Sequence, residues 1–249
     1  MALVWITGAT GAVGSALARR LIARGDAVVL TARNTDRLLS LASELGGPAY
    51  VVAADATQEQ SIQSALTQIE QQFGTPTGLA HCVGSIFIRS LHATSQTDLH
   101  DAFTQNFFSA WNVLREFVRA ASRNKLPGSA VLIGSIASTS GFANHEAIAS
   151  AKAAVAALAR SAAATYADRG IRVNCVHPGL TLSGMSARLT ASAESVARLS
   201  KLNPLGRLGR GDDTAAAIAF LLGNDADWIT GQQFGVDGGQ ANLQQVLRT

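Results

Sequence analysis

A run of small residues near the start of the chain has the composition of a phosphate-binding loop. The segment Thr7–Gly14, with the sequence TGATGAVG, follows the apolar run Leu3–Ile6 and precedes a helical pattern. Glycine allows a tight turn and a close approach of the backbone to a pyrophosphate, and the N–H groups that start a helix attract an anion. This arrangement predicts a dinucleotide-binding loop, with cofactor contacts from Gly8, Thr10, Gly11, Ala12, Val13 and Gly14.

The residues after the second apolar run indicate which dinucleotide is bound. Proteins that select the unphosphorylated cofactor place a carboxylate here, on the ribose hydroxyls, but the chain has no acid between Thr31 and Asp36. Arg33 stands at this point instead, and arginine binds a phosphate through charge-assisted hydrogen bonds. The sequence therefore predicts NADP(H), held by Arg33 and Asn34; the alternative is that Arg33 is an ordinary solvated loop residue.

Short apolar runs alternate with helical patterns along the rest of the chain, which is the frame that such a loop needs. Several of the runs are apolar throughout, as is typical of strands buried on both faces. The alternation predicts an α/β, doubly wound Rossmann fold with a seven-stranded parallel sheet and helices on both faces. The predicted strands are Leu3–Ile6, Ala27–Thr31, Ala49–Ala53, Gly78–Cys82, Ser129–Gly134, Arg172–His177 and Gln233–Val236. The predicted helices are Ala12–Arg24, Thr35–Leu45, Gln58–Phe73, Thr97–Asn124, Ala147–Asp168 and Asp212–Leu222.

One segment interrupts this rhythm. Thr181–Leu202 lies between the sixth strand and the last helix, is rich in small polar residues, and has a helical pattern only at Ser192–Leu202. An insertion beyond a strand end often forms a lid over an active site. With no linker or repeat elsewhere, we expect residues 1–249 to form one domain with a substrate lid at about 181–202.

Composition excludes several classes of protein. Charged residues make up 15% of the chain, against about 25% in typical domains, so a disordered chain is excluded, and the basic residues do not cluster as a nucleic-acid surface requires. The absence of 18 consecutive apolar residues predicts no transmembrane helix, and Met1–Ile6 lacks the basic start of a secretory signal. Cys82 and Cys175 form no CxxC pair, which predicts reduced thiols in a cytoplasmic protein without a metal site.

The chain resembles the short-chain dehydrogenase/reductase family, and within it the 3-oxoacyl-acyl carrier protein reductases. The Thr7–Gly14 loop matches the family's Thr-Gly-x-x-x-Ala-x-Gly pattern, Asn174 begins its Asn-x-x-x-Pro-Gly run, and the likeness extends over about 240 of the 249 residues. His81, Cys82 and Val83 depart from the family's Asn-Asn-Ala-Gly turn. The resemblance implies further cofactor contacts from Asp55, Ala56, Gly84, Pro178, Gly179, Thr181 and Ser183.

The resemblance also implies a catalytic set. Ser135 would hydrogen-bond the substrate oxygen, and Lys152 would hold the nicotinamide ribose and supply positive charge. Asn106 would order a water near Lys152. His177 admits two interpretations, a residue facing the pocket or a satisfied histidine at the end of a strand, whereas His81 is expected only to pack or cap.

The family's proton donor is missing. Members that reduce carbonyls carry a tyrosine four residues before the lysine, with its pKa lowered from the usual value near 10. Ile148 occupies that position here, and its spacing of 13 residues from Ser135 equals the family's serine-to-tyrosine spacing, so no gap hides a tyrosine. The two tyrosines of the chain, Tyr50 and Tyr166, lie far from this point in the sequence.

Three interpretations of this loss remain open. In the first, the chain is a reductase with another acid: His145 stands seven before Lys152, where enoyl reductases of the superfamily carry their tyrosine, and Glu146 is a second candidate. His145 and Glu146 can equally be simple helix-start residues. In the second, the protein is a redox-inactive NADP(H) binder. The third, a lyase or dehalogenase, is disfavoured because dehalogenases of the superfamily lose the lysine and keep the tyrosine.

From these observations the sequence predicts an NADP(H)-dependent oxidoreductase acting on a carbonyl or an activated C=C bond of a small molecule, with acyl thioesters among the candidates. Neither nucleic acid nor a membrane is expected as a partner. The low charge and the alanines of the fifth helix, among them Ala153, Ala156, Ala157 and Ala163, predict a homo-oligomer, and the family commonly forms tetramers.

Overall fold

A single parallel sheet of seven strands forms the centre of the molecule. The computed structural model describes residues 2–243, so residues 1 and 244–249 of the predicted domain lie outside the described residues. The strands follow the order β3-β2-β1-β4-β5-β6-β7. They are β1 (Leu3–Thr7), β2 (Ala27–Thr31), β3 (Ala49–Val51), β4 (Gly78–His81), β5 (Gly128–Ile133), β6 (Ile171–Pro178) and β7 (Gln233–Val236).

Eight α-helices connect and cover these strands within the described part of the chain. They are α1 (Ala12–Ala23), α2 (Thr35–Leu45), α3 (Glu59–Phe73), α4 (Gln96–Phe103), α5 (Ser109–Arg123), α6 (Glu146–Tyr166), α7 (Ala193–Ser200) and α8 (Gly211–Leu222). Every strand pair is parallel, and β1 pairs with both β2 and β4, so the chain order reverses between β1 and β4. In open α/β sheets, ligands bind beyond the carboxyl ends of the strands at such a reversal.

Each face of the sheet is buried by its own set of helices. Trp5 of β1 points to the face covered by α3, α5 and α6, where it shares a core with the fully buried Phe117. Its neighbours Val4 and Ile6 point to the opposite face, covered by α1, α2 and α8. Successive strand residues face opposite sides, so strands covered on both sides must be apolar throughout. The predicted doubly wound fold is confirmed.

The predicted helix Thr97–Asn124 is interrupted in the structure. A stretch of π-helix at Thr104–Phe108, called here the π segment, separates α4 from α5. The apolar residues have helical spacing both before and after the π segment. The sequence pattern therefore predicts one continuous helix and gives no sign of the extra residue in the π-helical turn. The edge strand β3 also ends earlier than predicted, at Val51, although Val52 N still donates to Leu30 O at 3.1 Å.

Helix α6 is the longest helix among the described residues and is rich in alanine. Together with the turn after it, the helix is long and apolar enough to cross a membrane by length and composition alone, as core helices of globular domains also are. Its buried side, including Val155 and Ala159, belongs to the core between the helix and the sheet. Of the alanines predicted to meet a second copy, Ala156 and Ala163 are buried in this core, whereas Ala153 and Ala157 are exposed.

Candidate cofactor and reaction site

One cavity of about 900 Å³ lies beyond the carboxyl ends of the strands and collects most of the predicted site residues. It runs from the glycine loop and the end of β2 to the start of α6 and the lid. The predicted residues on its wall are Gly8, Thr10, Gly11, Ala12, Val13, Arg33, Asn34, Asp55, Ala56, Gly84, Ser135, His145, Lys152, Pro178, Gly179, Thr181 and Ser183. Gly14 and Asn106 lie behind the wall rather than on it.

The glycine loop leaves no room for side chains at two positions. Gly8 has a φ of 72°, and a Cβ there would lie 2.7 Å from the backbone of Cys82 on β4's extension. A Cβ on Gly14 would collide with the carbonyl oxygen of Gly8, so Gly14 lets α1 pack against the loop. Gly8 N donates to Thr31 O at 2.8 Å, which ties the loop to β2.

The start of α1 is open to an anion. Gly11 caps the helix without a side-chain hydrogen bond, and the first turn contains no acidic residue. The first N–H groups of a helix have no partner within the helix, and the helix dipole gives this end a partial positive charge. Because these groups belong to residues on the cavity wall, an anionic group in the cavity would meet unpaired donors.

The end of β2 supplies side-chain cations to the same cavity. Arg37 Nη2 donates to Thr10 O at 3.3 Å, and Asn34 caps α2 by accepting from Arg37 N at 2.9 Å. Arg33 also lines the cavity and, within residues 2–243, its side chain makes neither an ion pair nor a hydrogen bond. On the facing wall, the Asp55 carboxylate accepts from Thr57 N and from Thr57 Oγ1 at 2.9 and 2.8 Å, which fixes its position.

Lys152 extends from α6 to the centre of the cavity. Its Nζ donates to Ile133 O at the end of β5, at 2.8 Å, and the residue is 6% exposed. Burial lowers the pKa of Lys152 to about 8. A Cβ on Gly84 would lie only 3.2 Å from Lys152 Nζ. The absence of a side chain at Gly84 therefore makes room for the end of the lysine.

Asn106 lies in the π segment and is fully buried. Its Nδ2 donates to Ala102 O at 2.8 Å and to Ser85 Oγ at 3.0 Å, while Ser85 N donates to its Oδ1 at 3.1 Å. Asn106 therefore fastens the loop that follows β4. A Cβ on Gly84 would lie 2.9 Å from Asn106 Oδ1 and 3.2 Å from Lys152 Nζ, which places the two side chains on either side of the same glycine.

Ser135, Ile148 and His145 form the wall beside Lys152. Ser135 follows β5, and its Oγ accepts from Ala137 N at 3.1 Å. Ile148 is 5% exposed and lies one helical turn before the lysine on α6. His145 caps the start of α6, with Nδ1 2.7 Å from Ala143 O and its ring against Phe142. Glu146 is exposed and does not line the cavity.

Much of the remaining wall is apolar, and sequence reasoning did not identify this part. Its large apolar residues include Ile86, Ile88, Phe142, Met185, Leu189, Leu199 and Leu202, beside the polar Gln105, Asn203 and Gln240. The last four of the apolar residues come from the predicted lid, where the predicted helix appears as α7 and the buried Ser186 bonds to Ser183. These apolar residues come from loops separated by up to about a hundred positions in sequence, and no local pattern relates them.

His81, His177 and Cys175 do not line the cavity, whereas Cys82 does. His81 lies between Thr7 Oγ1 (2.8 Å) and Ser109 Oγ (3.1 Å), and burial, helped by the charge of Lys152, lowers its pKa to about 3. It packs in the neutral form, as expected. His177 is absent from the cavity wall. Cys82 and Cys175 are free thiols, and in the described part of the chain no three His, Cys, Asp or Glu side chains gather as a metal site would require.

Comparison with known proteins places this geometry in a family. A family model described as enoyl-(acyl carrier protein) reductase matches residues 8–241. The 3-oxoacyl-(acyl-carrier-protein) reductase FabG of Salmonella typhimurium is 32% identical over 234 residues, which cover 94% of this chain and 95% of that protein. The chain belongs to the short-chain dehydrogenase/reductase family.

Two further members of the family resemble the chain along most of its length. The inactive 2-(S)-hydroxypropyl-CoM dehydrogenase 2 of Xanthobacter autotrophicus is 36% identical over 236 residues, covering 91% of this chain and all of that protein. An NADPH-bound short chain oxidoreductase from Pseudomonas aeruginosa PAO1, which contains an atypical catalytic center, superposes with a TM-score of 0.91 at 27% identity and 98% coverage of both chains.

Proposed function

We propose that the protein is an NADP(H)-dependent cytoplasmic oxidoreductase that transfers hydride between the nicotinamide and a carbonyl or an activated C=C bond, with a proton donor other than tyrosine. The observation that carries the proposal is the single cavity, which joins the glycine loop and Arg33 to Ser135 and Lys152. Its apolar lid end suits a small molecule with an apolar body, and acyl thioesters are one such class.

The residues present fit a phosphorylated dinucleotide. The loop has no space for a Cβ at Gly8 or Gly14, so the backbone itself forms the floor. The unpaired N–H groups at the start of α1 suit a pyrophosphate, and the unpaired guanidinium of Arg33 suits a 2′-phosphate. The NADPH-bound relative from Pseudomonas aeruginosa supports the same cofactor.

The chain's own groups would orient and polarise the substrate. Bound NADPH supplies the hydride. Ser135 Oγ already accepts a hydrogen bond from Ala137 N, so its own hydrogen is free to be donated to a substrate oxygen. Lys152, held by Ile133 O and charged below a pH of about 8, would place positive charge beside that oxygen and hold the ribose.

The proton must come from another residue because Ile148 has none to give. The carbonyl oxygen of Ala143 can only accept, so its contact with His145 fixes a hydrogen on Nδ1. In the imidazolium form, Nε2 then carries the second proton, which can be transferred. His145 lines the cavity and Glu146 does not, so the geometry supports His145 over Glu146 as the proton donor.

A second candidate function is a redox-inactive NADP(H)-binding protein. The buried side chain of Ile148 supports it, because loss of a general acid removes about 10²–10⁴-fold of rate. The Xanthobacter relative, whose name records it as an inactive 2-(S)-hydroxypropyl-CoM dehydrogenase, supports a family member that has lost an activity. Cofactor affinity would be retained in this case, since none of the cofactor-binding residues differs between the two proposals.

One experiment separates the two functions. NADPH binding is measured by fluorescence, and NADPH consumption is then followed with a panel of ketones and enones. We expect slow turnover in the wild type, loss of that turnover in His145→Ala, and no change in Glu146→Ala, with NADPH affinity the same in all three. Binding without any turnover would support the redox-inactive protein, and turnover unaffected by His145→Ala would exclude the histidine as donor.

A homo-oligomer, tetrameric as is common in the family, is also part of the proposal. Phe108 and Trp111 are 43% and 45% exposed where α5 begins, and Ala153 and Ala157 are exposed on α6. Contiguous apolar patches on a protein surface mark interaction sites, and Phe108 and Trp111 lie next to each other at one helix start. Light scattering at micromolar concentration should give a multiple of the 25.8 kDa chain mass.

A further inference from the structure

The imidazole of His177 lies directly behind the loop that carries Ser135. His177 is the second-last residue of β6 and is almost fully buried. Its Nδ1 is 3.2 Å from Ser135 N, 2.9 Å from Ser135 O and 3.1 Å from Ser138 Oγ. One ring nitrogen thus contacts both polar atoms of the Ser135 backbone, and the proton on that nitrogen decides which contact is a hydrogen bond.

Gln233 of β7 settles the position of that proton. Gln233 Nε2 donates to Ala156 O at 3.2 Å, so its Oε1 is the atom that faces His177 Nε2, at 2.5 Å. An amide oxygen only accepts. Nε2 therefore carries the hydrogen, and in the neutral ring Nδ1 is left as an acceptor for the Ser135 N–H.

In this tautomer Nδ1 and Ser135 O, 2.9 Å apart, are both acceptors, so that contact is not a hydrogen bond. Ser138 Oγ donates to Ser135 O at 2.6 Å, which satisfies the carbonyl that faces Nδ1. Gly134 provides the space, because a Cβ there would lie 2.6 Å from His177 Nδ1 and Cε1. Gly134 thus leaves room for the imidazole ring of His177, and Gln233 on the neighbouring strand holds the ring by a hydrogen bond.

We propose that His177 is a positioning residue: Gln233 holds its neutral Nε2–H form, and its Nδ1 holds the Ser135 backbone N–H so that Ser135 Oγ faces the cavity. The inference rests on the proposed function in one respect, the assignment of Ser135 to the substrate oxygen. The link reaches from α6 through β7 and β6 to the loop after β5, so it places Ser135 relative to the helix that carries Lys152.

Four variants test the proposal. His177→Leu removes the acceptor, whereas His177→Asn puts an amide oxygen where Nδ1 was. Gln233→Leu removes the group that fixes the tautomer, and the double variant His177→Leu with Gln233→Leu measures their coupling. Thermal unfolding and NADPH affinity serve as controls, and we expect affinity within about twofold of the wild type in every variant.

The readout is hydrogen exchange of the peptide containing Ser135, together with turnover of S-(2-acetamidoethyl) 3-oxobutanethioate. We expect His177→Leu to speed exchange of the Ser135 amide and to lower kcat, each about tenfold, with KM changed less. His177→Asn should restore both to within about threefold. The double variant should be no worse than His177→Leu, because Gln233 acts through the ring.

Two outcomes would overturn the proposal. Unchanged exchange in His177→Leu would show that the ring does not hold Ser135, whether or not the thioester is turned over. Equal damage from His177→Leu and His177→Asn would show that the ring only fills space. If the wild type consumes no NADPH with this thioester, the proposed reaction on that substrate fails by itself, and the exchange data with the asparagine rescue still decide the role of His177.

Discussion

The two ends of the cavity are built by different means. At the end proposed for the cofactor, the shape comes from the backbone: Gly8 and Gly14 have no space for a side chain, and the start of α1 presents bare N–H groups. At the end proposed for the reaction, the chemistry would depend on individual side chains, and the buried Ile148, at the position where the resemblance implies a tyrosine, has no proton to give. A binding site made from backbone survives substitutions that abolish a reaction made from side chains.

The largest expected effect is a loss of NADPH affinity when a side chain is added to the glycine loop. Gly14→Ala places a methyl group against the carbonyl of Gly8, so the loop must move away from α1. We expect NADPH affinity to fall by about a hundredfold or more, measured by fluorescence titration of protein that circular dichroism shows to be folded. Gly141→Ala is the matched control, since nothing lies within 4 Å of a Cβ there. An unchanged affinity in Gly14→Ala would contradict the backbone account.

The next largest expected effect is a faster reduction of ketones when a tyrosine replaces Ile148. Ile148→Tyr places a hydroxyl one helical turn before Lys152, on a wall that already faces the cavity. We expect ketone reduction to rise about tenfold or more, against the 10²–10⁴-fold typical of a general acid. Ile148→Phe is the control, because it adds the ring without the hydroxyl. Equal rates in the two variants would mean that bulk, not the proton, limits the reaction.

A smaller effect tests Arg33, the side chain to which we assign the choice between NADPH and NADH. Arg33 has no partner among residues 2–243, so its charge is available to a 2′-phosphate. We expect NADPH to bind the wild type about tenfold more tightly than NADH, and Arg33→Ala to erase most of that ratio. Arg19→Ala, which removes the same charge from an ion pair with Glu44, should leave the ratio unchanged. Equal affinities for the two cofactors in the wild type would contradict the assignment.

The smallest effect is a pH dependence set by Lys152. Its charge is lost as pH rises through about 8, because burial lowers its pKa. We expect NADPH affinity to fall about fivefold between pH 7 and pH 9, and the dependence to flatten in Lys152→Met. An affinity that does not change over this range in the wild type would show that the ammonium does not contact the cofactor.

The same lysine should affect the free protein in the opposite direction. The pKa of Lys152 is lower in the folded chain than the usual 10.4 of an unfolded one, so the unfolded chain binds more protons above pH 8. Its contribution to the free energy of unfolding therefore rises with pH in this window. The Cys82 and Cys175 thiols oppose it from about pH 8 upward, because burial raises the pKa of each to about 12 while an unfolded thiol titrates at about 8.5. The test is denaturant unfolding of the cofactor-free protein and of Lys152→Met between pH 8 and pH 9, since both carry the two thiols and their difference isolates the lysine.

The parts of the molecule that could be predicted from sequence are those where residue type and element lie next to each other in the chain. The glycine loop is an example, since strand, turn and helix follow within 20 residues. The sheet could be predicted because strands covered on both faces, such as β2, are apolar at every position. Helix α6 was predicted from its composition, and the position of Ile148 on the cavity wall follows from helical spacing.

The parts that could not be predicted depend on partners far away in the chain. His177 allowed two interpretations because its partners are Ser135, 42 residues before it, and Gln233, 56 residues after it. The choice between His145 and Glu146 as a proton donor rests on which side of one helix start faces the cavity, and both residues belong to that start. The apolar lid wall has the same origin, since its loops meet only in the folded chain.

The π segment has a consequence for how the chain tolerates insertions and deletions. Each residue of an α-helix advances the helix by about 100°, so one surplus residue in a turn offsets the angular phase of everything after it. Removing a single residue between Thr104 and Phe108 would rotate α5 relative to α4. Trp111 would then take the angular position of the buried Ala110, and Val113 and Phe117 would move from their fully buried positions to those of the polar Asn112 and Glu116. The π segment therefore sets the rotation of α5 about its axis relative to α4. The number of residues in it is constrained even though its side chains are not all buried.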